Sequence, residues 1–189
     1  VYRVHGKPNG EKIDDFVKVD TTKKDKDVSI LNVSITNPQE YGLIIKKKDA
    51  ATGLFLNDVN FSAKILDESG NEIKVIDTET FTSKDLKNLK TQNVNGEDGV
   101  IKVDNILVER AGSYTLVINE EKLEKYISVD DIYIDYNIEI QGERYEITNI
   151  SVRNPEHVNT EITKLVKEVN KNLTYIQVGV DNIPVTGNY

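Results

Sequence analysis

The chain of 189 residues contains no cysteine, no methionine and no tryptophan, and only four prolines. Without cysteine there is no disulfide and no thiolate chemistry. With two histidines only, His5 and His157, in unrelated contexts, a zinc site would need carboxylates to complete it, and no metal is expected. The lack of tryptophan, with nine tyrosines scattered along the chain, leaves little from which to build an aromatic sugar platform. Positive charge is also scarce. Against 32 Asp and Glu stand 24 Lys and Arg, a net charge of −8 that repels phosphate backbones and argues against nucleic acid as a partner. The longest basic run, Lys46-Lys47-Lys48, lies inside a strand-like stretch and reads as a solvated edge. No apolar run reaches membrane-spanning length, so membrane insertion of this segment is not expected. No signal peptide opens the chain, which reads as a piece of something longer. Nucleophile elbows, Gly-rich phosphate loops and paired catalytic motifs are missing, so neither enzymatic turnover nor a cofactor is expected.

What is present is alternation of apolar and polar residues. It predicts strands at 43–47, 60–66, 72–76, 100–104, 113–119, 131–140 and 144–153, rich in Thr, Val, Ile and Tyr. Thr52-Gly53, Ser69-Gly70-Asn71, Asn95-Gly96 and Gln141-Gly142 supply turns between them. Short strands at this spacing give an all-β sandwich. Two stretches depart from the pattern. Residues 83–90 place Leu86 and Leu89 three apart behind Thr and Ser, predicting a short helix. Residues 161–171 set Ile162, Leu165, Val166 and Val169 against Lys164, Lys167, Glu168 and Lys171, predicting an amphipathic helix that covers the core.

The chain also repeats itself. Val33-Ser34-Ile35-Thr36-Asn37-Pro38 returns, one sandwich-domain length later, as Ile150-Ser151-Val152-Arg153-Asn154-Pro155. Val103-Asp104-Asn105-Ile106 returns as Val180-Asp181-Asn182-Ile183, each followed by Gly-x-Tyr at Gly112 and Gly187. These echoes predict a complete sandwich over 42–155, with 1–41 and 156–189 as parts of a second one. The outer parts either close on each other as a discontinuous domain, pair between neighbouring chains, or belong to a longer array. A half-sandwich alone exposes strand edges, which favours the discontinuous domain.

Within the central unit, Leu43-Ile44-Ile45-Lys46-Lys47-Lys48-Asp49-Ala50-Ala51-Thr52-Gly53, the Leu56 to Phe61 stretch, Gly112-Ser113-Tyr114-Thr115-Leu116 and the closing Ile150 to Asn154 stand in a characteristic order. In that order the chain resembles the collagen-adhesin B-type (Cna B-type, prealbumin-like) repeat of Gram-positive surface proteins and pilins. The resemblance covers about 110 residues of the centre, and weakly both flanks. It implies tandem Ig-like or prealbumin-like sandwiches, a cell-surface, extracellular location with wall attachment through other parts of the protein, and a role as a non-catalytic stalk or spacer. The alternative role is a ligand-binding adhesin repeat contacting a host matrix protein. Implied partners are neighbouring repeats of the same protein.

Many members of that family carry an intramolecular Lys–Asn isopeptide bond, which would staple a secreted domain that has no disulfide. The chemistry needs a neutral amine, an amide carbonyl and a carboxyl group to shuttle protons. Lys47 shares strand parity with Leu43 and Ile45, and Asn154 with Ile150 and Val152, so both are candidates to face inward. The family's acid position falls on Ile118, so a Lys47–Asn154 crosslink would draw on another acid, Glu120 or one the sequence does not single out. The competing reading is a half-exposed Lys47 and a turn-initiating Asn154 before Pro155. Asn37 matches Asn154, but the strand that would carry its lysine is not in the sequence.

Two further signals have plainer readings. Ile183-Pro184-Val185-Thr186-Gly187 is similar to the Leu-Pro-x-Thr-Gly sorting signal, yet it stands where the repeat places a strand. Asp130, Asp131 and Asp135, and Asp20, Asp25 and Asp27, lack the order of a calcium loop and read as solvated faces.

Overall fold

The computed structural model describes residues 2–3, 16–17 and, apart from 109, 143, 154 and 169–172, residues 40–185. Strands β1 (Tyr2–Arg3) and β2 (Phe16–Val17) pair antiparallel with each other. The remaining strands form two five-stranded sheets. The first has the order β11 (Val158–Glu168), β12 (Leu173–Asn182), β3 (Glu40–Asp49), β7 (Glu97–Leu107), β6 (Gln92–Val94). The second has the order β10 (Arg144–Val152), β9 (Ile132–Gln141), β8 (Gly112–Glu120), β4 (Asn60–Leu66), β5 (Leu89–Lys90). This is the all-β sandwich that alternation predicts, with Leu43, Ile45, Ile65, Ile118, Ile134, Ile176 and Val178 packed in a common core.

Local chemistry explains the frame. Asn95 and Gly96 both adopt positive φ, 53° and 88°, as a two-residue hairpin with strands of right-handed twist requires, and they join β6 to β7. In β3 the residues of odd number from Tyr41 to Asp49 are buried, while Ile44, Lys46 and Lys48 are half-buried. Gly42 breaks the alternation, because a Cβ there would lie 2.4 Å from the Tyr175 ring.

Several expectations are corrected. β12 runs parallel to β3 over nine register pairs, from Thr174↔Tyr41 to Asn182↔Asp49. The boundary expected at residue 155 therefore runs through a single pair of sheets, of which β11 and β12 are part. The two copies of the Val-Asp-Asn-Ile echo, Val103 to Ile106 and Val180 to Ile183, fall within that one unit, on β7 and at the end of β12, the two strands flanking β3. The 33–38 copy of the Ile150 to Pro155 motif, and nearly all of the expected partial domain in 1–41, lie outside the described residues.

The helix expected over 161–171 is corrected to strand β11, paired with β12. A register shift between Asn159 and Lys164 interrupts its two-residue alternation, so its apolar side chains mimic helical spacing. The helix expected over 83–90 is also absent. There the Leu86 carbonyl accepts from Ala63 N–H at 2.7 Å, and Lys84 N–H donates to the Val75 carbonyl at 2.9 Å. The Asp85 carboxylate caps Lys87 N–H at 2.7 Å, so the backbone groups a helix would use are spent on neighbours. Among the described residues the helical element is one 3-10 turn, Pro155–His157.

Candidate functional site

An aliphatic core tolerates polar atoms poorly, since an unpartnered buried group costs about 1–3 kcal/mol and an unpaired charge more. Three polar side chains nevertheless face inward at one pole of the sandwich. Lys47 lies on β3 in phase with Tyr41, Leu43 and Ile45, and is fully buried. Glu120 ends β8 in the opposite sheet, in phase with Leu116 and Ile118, and is also buried. Asn182 ends β12 in phase with the core residues Ile176, Val178 and Val180, and its relative exposure is 0%.

Lys47 Nζ sits 2.5 Å from Glu120 Oε2. Beyond this contact neither atom has a hydrogen-bond partner. Burial pushes the Lys47 amine below its ordinary range, opposed in part by the Glu120 carboxylate and by Asp181. Burial therefore makes the neutral, nucleophilic amine easier to reach than it is in water. Asn182 is stranger still, since neither its Oδ1 nor its Nδ2 has a partner. In the parallel register Lys47 is opposite Val180, and Asn182 is opposite Asp49. Lys47 and Asn182 are thus diagonal neighbours on the same inward face, a separation of about 8 Å between backbones from the strand spacing and two residues of rise, which a lysine side chain spans.

The motif Asp49-x-x-Thr52-Gly53 frames this pole. Asp49 Oδ1 accepts from the N–H groups of Ala51 and Thr52, at 2.7 and 2.9 Å, which ends β3 in a tight turn. Tyr126 donates its hydroxyl to Asp49 Oδ2 at 2.8 Å. These bonds hold the Asp49 carboxyl below the usual carboxylate range, and the carboxylate in turn raises the Tyr126 phenol.

Of the three residues singled out from sequence, the structure brings Lys47 and Glu120 together, and Asn154 lies outside the described residues. The acid stands two positions beyond Ile118, on the same face of β8. Asn182 was missed, although its parity with Val178 and Val180 was there to be read. The other clusters are taken up locally. Asp131 accepts from Asn119 at 2.7 Å, and Asp135 from Thr115 at 2.7 Å and from Arg153 at 2.7 Å. Asp20, Asp25, Asp27 and His5 lie outside the described residues, among which no group of three metal-ligating side chains occurs. Ile183 to Val185 run on from β12, bridging Tyr126 at Pro184, while Thr186 and Gly187 lie outside the described residues. No described helix is long and apolar enough to cross a membrane.

A second polar cluster lies on the outer face of the first sheet. Tyr175 crosses Gly42 and its hydroxyl lies 2.6 Å from Asp104 Oδ1 and 2.9 Å from Glu168 Oε2, with Lys102 over its ring. It ties β7, β11 and β12 together across β3.

No family model and no curated protein matches the chain. Among solved structures it is similar to the pilus adhesin of Streptococcus pneumoniae, with 17% identity and a TM-score of 0.40 over 78% of this chain and 15% of that one. It is similar to the pilus 2b backbone protein of group B streptococcus, with 18% identity and a TM-score of 0.39 over 78% of this chain and 42% of that one. A third is the minor pilin of Streptococcus agalactiae, with 16% identity and a TM-score of 0.37 over 80% of this chain and 47% of that one. The chain spans less than half the length of each.

Proposed function

We propose that this chain is a non-catalytic, pilin-like structural module of a bacterial cell surface, stapled by an isopeptide bond between Lys47 and Asn182 with Glu120 as proton shuttle. The observation that carries this reading is a buried Lys–Glu pair on the same inward face as a buried amide without partners. Asn182 takes the place proposed from sequence for Asn154, because it lies on the strand next to Lys47 and faces the same core.

The reaction balances within the site. Proton transfer from Lys47 to Glu120 leaves a neutral amine beside a neutral carboxylic acid. Glu120 donates to the Asn182 carbonyl oxygen, and Lys47 Nζ attacks the carbonyl carbon. As the tetrahedral adduct collapses, the C–N bond to Nδ2 breaks, and Glu120 passes a proton from Nζ to the departing nitrogen. One ammonia leaves, the adduct's hydroxyl proton returns to Glu120 as the secondary amide forms, and Glu120 ends protonated.

Such a bond suits a spacer, because β3 and β12 are the first and last strands of the described sandwich and run parallel side by side. Intact-mass spectrometry tests it. A chain lighter than its sequence by one ammonia, with a branched Lys47–Asn182 peptide after digestion, is the expected result. An unshifted mass overturns the staple, and a branch at Asn154 moves it.

A further inference from the structure

Resting on the crosslink reading, we infer that Tyr126 and Asp49 are positioning residues for that reaction: their hydrogen bond latches the loop after β8 onto the end of β3, beside the exit from β12, and holds Asn182 in register with Lys47. Asn182 is the last residue of β12, where strand ends fray most readily. A reacting amide placed there needs to be held, since a misplacement of about 1 Å costs roughly a hundredfold in rate.

The turn begun by Asp49 holds it from two sides. Ala50 N–H, one residue along that turn, donates to the Asn182 carbonyl at 2.7 Å. The Asp49 side chain grips the other side through Tyr126. Residues flanking Tyr126 grip the exit in turn: Ile127 N–H donates to the Ile183 carbonyl at 2.8 Å, and Val185 N–H donates to the Lys125 carbonyl at 3.0 Å. Asp49 Oδ1 is occupied by Ala51 and Thr52, so Oδ2 is the oxygen given to the loop.

The three reacting residues meet this latch by short tethers. Lys47 lies two residues before Asp49 on β3, Asn182 lies opposite Asp49 in the parallel register, and Glu120 lies at the root of the loop that carries Tyr126. The side-chain bond joins the β8 loop to the end of β3, and the backbone bonds of Ala50, Ile127 and Val185 add the end of β12, so the latch gathers the three strand ends whose side chains must meet. Tyr126 and Asp49 take no part in bond making.

The test follows ammonia loss by intact mass as a function of time after cell-free synthesis of the full chain. Tyr126→Phe keeps the ring and removes only the hydroxyl, and Asp49→Asn weakens the acceptor. Each single variant is expected to crosslink roughly ten- to a hundredfold more slowly, and the double variant no more slowly than the slower single, because both act through one bond. The deficit persists at low temperature, where circular dichroism in a Glu120→Gln background shows the Tyr126→Phe chain folded, which a merely structural role would not produce. Tyr126→Phe crosslinking at the unaltered rate overturns the latch while the staple stands, and so does a double variant slowed by the product of the two singles. No ammonia loss in the unaltered chain overturns the staple itself, and the latch with it.

Discussion

Asn182→Ala isolates the staple more cleanly than any change at Lys47 or Glu120. Neither polar atom of the Asn182 side chain has a hydrogen-bond partner, so its removal orphans nothing, and Lys47 and Glu120 still neutralise each other at 2.5 Å. What is lost is the covalent closure between Lys47 and Asn182. In the chain-entropy treatment of crosslinks, a closed loop of about 135 residues is worth about 5 kcal/mol. For a domain of this size each kcal/mol moves the melting midpoint by about 2–4 °C, so the variant is expected to melt about 10–20 °C lower. Scanning calorimetry gives the midpoint, and intact mass on the same sample shows retention of the ammonia. Asn154→Ala, run alongside, is expected to keep both the mass deficit and the midpoint. The reasoning is refuted if Asn182→Ala melts where the unaltered chain does, or if it still sheds ammonia.

Three other expectations follow from named contacts. Gly42→Ala drives a Cβ to 2.4 Å from the Tyr175 ring and 2.6 Å from the Val103 carbonyl oxygen, and is expected to cost about 1–3 kcal/mol in denaturant unfolding. The Asp77 carboxyl is lowered to about 2, first by Lys84 and then by the N–H groups of Thr80 and Glu79. Its folded value lies below its unfolded one, so its contribution is present above about pH 4 and lost as the pH falls through about 2; Asp77→Asn is expected to flatten that acid limb in a pH series of melts. In single-molecule pulling from both ends, the unaltered module is expected to give no unfolding step for the segment between Lys47 and Asn182, and Asn182→Ala to give one.

Legibility in the sequence tracked how local each feature is. β4 emerged with its full bounds because Phe61, Ala63 and Ile65 alternate with polar or half-buried neighbours and nothing interrupts them. The Asn95-Gly96 hairpin needed two residues only. Lys47 was legible as an inward candidate from parity alone, whereas Glu120 was named only as a substitute for the acid missing at Ile118 and lay outside the strand expected over 113–119. β12 was not read as a strand, although Ile176, Val178 and Val180 alternate with Gln177, Gly179 and Asp181; that both its faces are buried emerges only from the fold. β11 was misread because its bulge shifts the phase of its apolar residues. Asn182 was missed for a topological reason: its proximity to Lys47 comes from pairing the last described strand with β3, a contact that no short-range pattern encodes.

The proposed crosslink would also explain why such an ill-solvated arrangement persists in a chain without disulfides. Before reaction the core holds an ammonium, a carboxylate and an orphaned amide, each with a desolvation cost that packing does not offset. Bond formation removes the lysine charge, expels the amide nitrogen as ammonia and leaves Glu120 protonated. The groups most poorly accommodated by the fold are thus the ones the reaction consumes, so their burial destabilises the reactant state and favours the product. The proposed link would join β3 directly to the last residue of β12, so tension applied along the chain would pass from β3 to β12 through the new amide. The sheets between them, with their hydrogen bonds and aliphatic core, are left unloaded, and resistance to force rests on covalent bonds rather than on a stability of a few kcal/mol.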